Sequence, residues 1–175
     1  MARANQEAHR WNHEYIGTEH ILLGIAADPS CAGAAMLISR GVEPAQLRAT
    51  VTKLVRKGPE MVWLLRFPRT PRAKMVIEYA IESTRAAGHD EVSTAHLLAG
   101  LAREHDGVAA QVLRGLGVDV DRVRAAAADA RDAPSADVPP PAGEEIPRGP
   151  FVRALRRLFG FAGRPRSSRL VVTRR

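Results

Sequence analysis

The sequence predicts an all-α fold: two tandem four-helix repeats forming one compact helical domain, followed by a disordered tail. Three observations carry this. Residues at a constant offset of 76 match without a gap: His13 with His89, Thr18 with Thr94, His20 with His96, Leu22 with Leu98, Gly24 with Gly100, Leu37 with Leu113, Gly41 with Gly117, Val42 with Val118 and Arg48 with Arg124. Such register is the mark of a duplicated unit. No segment alternates apolar and polar residues with the period of a strand. Finally, 45% of the 175 residues are hydrophobic but only 5% are aromatic, and alanine is abundant, which favours helices with small core residues.

The elements follow in order. In the first copy, Thr18 is expected to cap a helix with Ile21, Leu22 and Ile25 on its apolar face. Ser30 precedes a helix that ends near Gly41, and Pro44 opens one reaching Leu54 and Val55. In the second copy, Thr70-Pro71 reads as a cap followed by proline at the first helical position. That helix runs through Met75, Ile77 and Ala80 to Gly88, a left-handed stop. Ser93 or Thr94 caps the next, with Leu97, Leu98 and Leu101 apolar. A third runs from about Gly107 to Leu116, and Asp119 caps a fourth carrying Val123. Repeat 1 thus covers about residues 1–57 and repeat 2 about residues 70–131, together a domain over 1–131. Counterparts of Thr70 to Val76 would precede Met1, so the opening helix of the first copy is expected to be short, either genuinely or through a misassigned start. Between the copies, Met61, Val62, Trp63, Leu64, Leu65 and Phe67 bunch together, either tucked against the bundle or exposed as a binding strip.

Charge separates the tail from the rest. The net charge is +7, yet nine arginines and no acid lie between Arg148 and Arg175, so the other residues sum to about −2. Residues 132–150 hold six of the 12 prolines and read as a Pro-rich linker. Residues 151–175 form a basic tail in which Phe151, Leu155, Leu158 and Phe159 fall on one stripe, a short amphipathic helix candidate. Its possible partners are an acidic protein, an anionic membrane or nucleic acid, all through Arg148–Arg175.

Several function classes fall away. The longest apolar run, Ile21 to Ala27, is far short of the roughly 20 residues of a spanning helix, so no integral membrane segment is expected. The first residues carry no secretory pattern. With Cys31 alone there is neither a disulfide framework nor a cysteine-rich zinc site, and a cytoplasmic setting is expected. Lys53, Lys57 and Lys74 follow Thr52, Arg56 and Ala73, so no G-x-x-x-x-G-K-[ST] phosphate loop exists. No catalytic constellation, cofactor motif or metal motif appears. His13-Glu14 does not continue as H-E-x-x-H, and the repeated pairs His13/His89 and His20/His96 suit packing and capping, needed in both copies.

The segment Asn12-His13-Glu14-Tyr15-Ile16-Gly17-Thr18-Glu19-His20-Ile21-Leu22-Leu23-Gly24-Ile25 closely resembles the Clp repeat in the N-terminal domain of ClpC-type Clp ATPases. Thr94-Ala95-His96-Leu97-Leu98-Ala99-Gly100-Leu101 agrees with it in the second copy. The resemblance implies a helical, non-catalytic module without the ATPase modules, an adaptor or accessory of a Clp unfoldase–protease system. Its implied partners are a Clp ATPase, a Clp protease component or protein substrates. It also implies a ligand, phosphoarginine, at Glu19 and Thr18, whereas Ala95 stands at the position of Glu19 in the second copy. A carboxylate in the first turn of a helix, beside free N–H groups, could meet both the guanidinium and the phosphate. The plainer role of Glu19 is to complement the helix dipole, worth about 0.3–1 kcal/mol.

Overall fold

The computed structural model describes residues 1–59 and 67–127. The described chain forms eight helices: α1 (Ala2–Arg10), α2 (Thr18–Ala26), α3 (Ala32–Ile38), α4 (Pro44–Leu54), α5 (Pro71–Ala86), α6 (Thr94–Arg103), α7 (Val108–Gly115) and α8 (Val120–Ala127). All lie in the first of two units, Met1–Ser135 and Ala136–Arg175, into which backbone contacts divide the chain. The strip from Met61 to Leu65, the Pro-rich linker and the basic tail with Phe151, Leu155, Leu158 and Phe159 lie outside the described residues.

The chain reversals fall where the sequence places them, because left-handed backbone is needed there. Gly41 and Gly117, equivalent across the copies, have φ of 75° and 70°. Gly88 has φ 67°, and its counterpart Asn12 adopts the same conformation at φ 53°, a position asparagine tolerates better than most residues. Thr70 caps α5 by accepting from the Ala73 N–H at 3.1 Å. Asp119 takes the N–H groups of Asp121 and Arg122, both at 3.1 Å, at the start of α8. The opening helix of the first copy has 9 residues against 16 for α5.

The two repeats interlock. Every residue of α2 is buried, and α6 packs against α5, α8 and α3, so the central helix of each copy touches elements of both. Leu22, Leu98, Leu47, Leu101 and Leu113 have no exposed surface. Among the described residues the only extended pairing is one isolated bridge, Ile16 with Arg69. There Ile16 N–H donates to Pro68 O at 2.8 Å and Thr70 N–H donates to Ile16 O at 3.0 Å, which ties the segment between the copies to repeat 1. Phe67 is buried as well, its ring 4.4 Å from His9. It is the one residue of the apolar strip within the described chain, and it tucks inward.

Candidate functional site

The Gly17-Thr18-Glu19-His20 element sits where the copies meet, and its parts have distinct jobs. Thr18 does not cap its own helix, contrary to the sequence expectation. Gly17 occupies that position, and Thr18 is the first helical residue. Its hydroxyl instead accepts from the N–H of Ala109, at 3.3 Å, in the first turn of α7. Its counterpart Thr94 accepts from the N–H of Gly33, at 2.9 Å, in the first turn of α3. Residues 18 and 94, like 33 and 109, are 76 apart. Each repeat therefore satisfies an orphan donor of the other's third helix, a reciprocal exchange with two-fold character. Sequence reasoning found the threonines through the repeat but assigned their oxygens locally, the commoner pattern. Replacing both by valine should remove two caps, at about 0.5–2 kcal/mol each. Urea unfolding of the single and double variants measures this.

The histidines form the second layer. His20 Nδ1 accepts from Gly17 N–H at 2.9 Å, which leaves its proton on Nε2. That Nε2–H donates to His13 Nδ1 at 2.9 Å, and His13 Nε2–H donates to Arg56 O at 2.9 Å. Repeat 2 copies the arrangement: Ser93 N–H meets His96 Nδ1 at 3.0 Å, and His96 Nε2 lies 3.2 Å from His89 Nδ1. In each repeat two rings thus relay a hydrogen bond from the start of the second helix to the segment before it, the packing and capping role expected of them.

Burial, with the neighbouring His13 charge adding to it, pushes His20 down from 6.5 to about 4. Between these values the unfolded chain binds a proton that the folded chain refuses. Stability should therefore be fully present above about pH 6.5 and should fall by about 3 kcal/mol as the pH drops to 4. Thermal melts from pH 7 to pH 4 check this, and His20→Asn should flatten the slope.

Glu19 lies in the first turn of α2 and is only 6% exposed. Its carboxylate folds back over Gly17, where an added Cβ would come within 2.4 Å of Oε1, and it lies 3.4 Å from His20 Nδ1. Burial raises its pKa, outweighing its own backbone N–H, the His13 charge and the Thr18 hydroxyl. The structure thus brings Thr18 and Glu19 to one buried place, with Ala95 fully buried at the matching position in repeat 2. His13, Glu19 and His20 each bring a ligand-type atom within 4.8 Å of the others. The hydrogen-bond relay already commits the nitrogens of both rings, and repeat 2 keeps the same histidine pair without the acid.

Sequence reasoning passed over a further charged cluster. Glu7 on α1, 1% exposed, receives Arg48 of α4 through two hydrogen bonds, 2.8 and 3.0 Å, and Arg10 at 2.7 Å. Burial pushes the Glu7 carboxyl up, but the bonds and charges of Arg48 and then Arg10 together outweigh it and hold it below its ordinary value. The match of Arg48 with Arg124 was visible in the sequence. Its partner was not, because Ser83 stands where the second copy would need a glutamate.

Known proteins place this architecture. The family model for the Clp repeat (R) N-terminal domain matches residues 1–63 and 69–161. The chain is 43% identical over 122 residues to the ATP-dependent Clp protease ATP-binding subunit ClpA homolog of Porphyra purpurea, covering 70% of this chain and 15% of that protein. It is 41% identical over 121 residues to the chloroplastic chaperone protein ClpC1 of Oryza sativa subsp. japonica, covering 69% and 13%. The chain therefore spans about one-seventh of the length of these relatives. Among solved structures, the N-terminal domain of the ClpD chaperone from Arabidopsis thaliana aligns with TM-score 0.57 at 24% identity, over 72% of this chain and 85% of that one. The Hsp104 N-terminal domain from Candida albicans aligns with TM-score 0.59 at 15% identity, over 73% and 83%. These two likenesses speak for the fold. With both repeats matched, the reciprocal threonine caps in place and the histidine relay duplicated, the chain belongs to the Clp repeat N-terminal domain family.

Proposed function

We propose that this chain is a non-catalytic protein-binding module, an adaptor or accessory factor of a Clp unfoldase–protease system. The observation that carries the proposal is the match of both Clp repeats to ATP-binding subunits of Clp proteases, at 41–44% identity, over an interlocked helical bundle. Among the described residues no buried side-chain nitrogen or oxygen lacks a hydrogen-bond partner, the pattern of a scaffold that presents surface. No helix among them is long and apolar enough to cross a membrane.

Affinity capture with the full chain as bait, followed by identification of what is retained, tests this. The expected result is recovery of a Clp ATPase or Clp protease component, retained when residues 148–175 are deleted. Recovery that disappears with those residues would move the binding function to the basic tail. In that case an acidic protein, anionic membrane or nucleic acid becomes the partner class.

At the finer level, Glu19 with Thr18 is the proposed contact for a phosphoarginine side chain. Support comes from the chemistry of a carboxylate in the first turn of α2. Its pKa is raised because burial works against the charge, and an arriving guanidinium would favour the charged form. The carboxylate must swing off Gly17 to receive a guanidinium. Because Ala95 offers no counter-ion, titration with a phosphoarginine peptide should give one site per chain, abolished by Glu19→Ala. Two equal sites, or binding indifferent to that substitution, would refute it.

A further inference from the structure

The first and last helices of repeat 1 are bridged by a buried ion pair that repeat 2 lacks. In repeat 1 Glu7 of α1 is clamped by Arg48 of α4, Trp11 packs against the core, and Leu23 is 1% exposed. Seventy-six residues on, the same positions hold Ser83, Ala87 and Ala99. All three line a groove of about 640 Å³ bordered by α5, α6 and α8. Arg124, the counterpart of Arg48, also lines it. With Ser83 where repeat 1 has Glu7, it turns to Asp121 on its own helix, at 3.3 Å, with side chains 50% and 85% exposed. An exposed pair of this kind contributes little. The other guanidinium of the groove, Arg103, is already engaged. It stacks 4.1 Å above the Tyr79 ring and bonds Glu82 at 2.5 Å.

We propose that this groove is a docking surface for a partner protein segment presenting a glutamate, with a bulky apolar side chain four residues further on. The occupant restores what repeat 1 builds internally. Its carboxylate takes the place of the missing glutamate and forms a forked pair with Arg124, a geometry that guanidinium favours over a single contact. Its apolar side chain covers Ala87 and Ala99, where Trp11 and Leu23 would otherwise supply the volume. The spacing is that of Glu7 and Trp11, which share one helix face. A floor of small side chains, Ser83, Ala87 and Ala99, walled by the charged Glu82, Arg103, Asp121 and Arg124, offers both apolar contact and an ionic anchor to a peptide. The inference rests on the protein-binding reading above but not on the identity of the Clp partner.

The test is fluorescence polarisation with the full chain and a labelled, end-blocked alanine/glutamine peptide carrying one glutamate and one tryptophan four residues later. Saturable binding is expected. It should weaken at least tenfold with Arg124→Ala, with glutamate replaced by glutamine in the peptide, and with Ser83→Glu, which rebuilds the internal pair and shuts the groove. Arg124 is exposed, so its variant keeps the fold, which circular dichroism verifies. Absence of saturable binding, or binding indifferent to both Arg124→Ala and Ser83→Glu, overturns the proposal. Capture of a Clp component, run in parallel, separates the two readings. Capture retained without peptide binding rejects the groove alone, whereas peptide binding without capture rejects the Clp partner and supports the groove.

Discussion

Leu98→Ala, and separately Leu22→Ala, is expected to lower the unfolding free energy by about 2–5 kcal/mol. The two leucines are equivalent across the copies, and neither has exposed surface. Leu22 sits in the middle of α2, every residue of which is buried, and Leu98 in α6, which packs on α5, α8 and α3. Truncation removes apolar contacts and leaves a cavity that helices fixed from both repeats cannot collapse to fill. A whole small domain is stable by only about 5–15 kcal/mol, so either variant should shift the urea midpoint visibly. A loss below about 1 kcal/mol at both positions would mean that the copies do not share a core.

Gly100→Ala is the second large effect, and its sign runs against helix propensity. In an open helix the change would stabilise by about 0.5–1 kcal/mol. Here an added Cβ would lie 2.4 Å from Val76 O and 3.3 Å from Ala80 N, both backbone atoms of α5. Backbone cannot rotate away as a side-chain end can, so α5 and α6 must separate. Overpacking of this kind costs about 1–3 kcal/mol. Gly24, its counterpart, meets Ala4 N at 2.9 Å, a milder approach with the same expected direction. Gly115→Ala is the control: nothing lies within 4 Å of the added methyl, so this variant should hold or gain stability.

Much of the fold was legible because duplication writes it twice. Gly41 and Gly117, Leu22 and Leu98, and the paired histidines each received two independent votes from the sequence. The helix stops were readable because a left-handed residue leaves few choices, and Asn12 in the place of Gly88 shows that the backbone shape, rather than the glycine, is what the copies share. What could not be read was the direction of side chains across the pseudo-two-fold. Thr18 looked like a local cap because that is what threonine before an apolar run usually does. Only the three-dimensional arrangement turns it to Ala109 of the other repeat. The burial of Glu19 was hidden for a similar reason. A charged residue in a first turn is ordinarily solvated, and the fold of its carboxylate onto Gly17 depends on packing from elsewhere. The groove was in the sequence all along as Ser83, Ala87 and Ala99 opposite Arg124. Its meaning needed the buried ion pair of repeat 1 for comparison.

The claim that the helical bundle is the part that binds a Clp component is tested most directly with purified proteins. Biolayer interferometry would measure the full chain, the chain lacking residues 148–175 and the Leu98→Ala variant against a ClpC-type ATPase and against its protease ring. The expected result is saturable binding to one of the two, within threefold for the chain without its basic end and lost in Leu98→Ala at a temperature where that bundle has melted. Binding that survives the melted bundle, or that vanishes with residues 148–175 while the bundle stays folded, would contradict it.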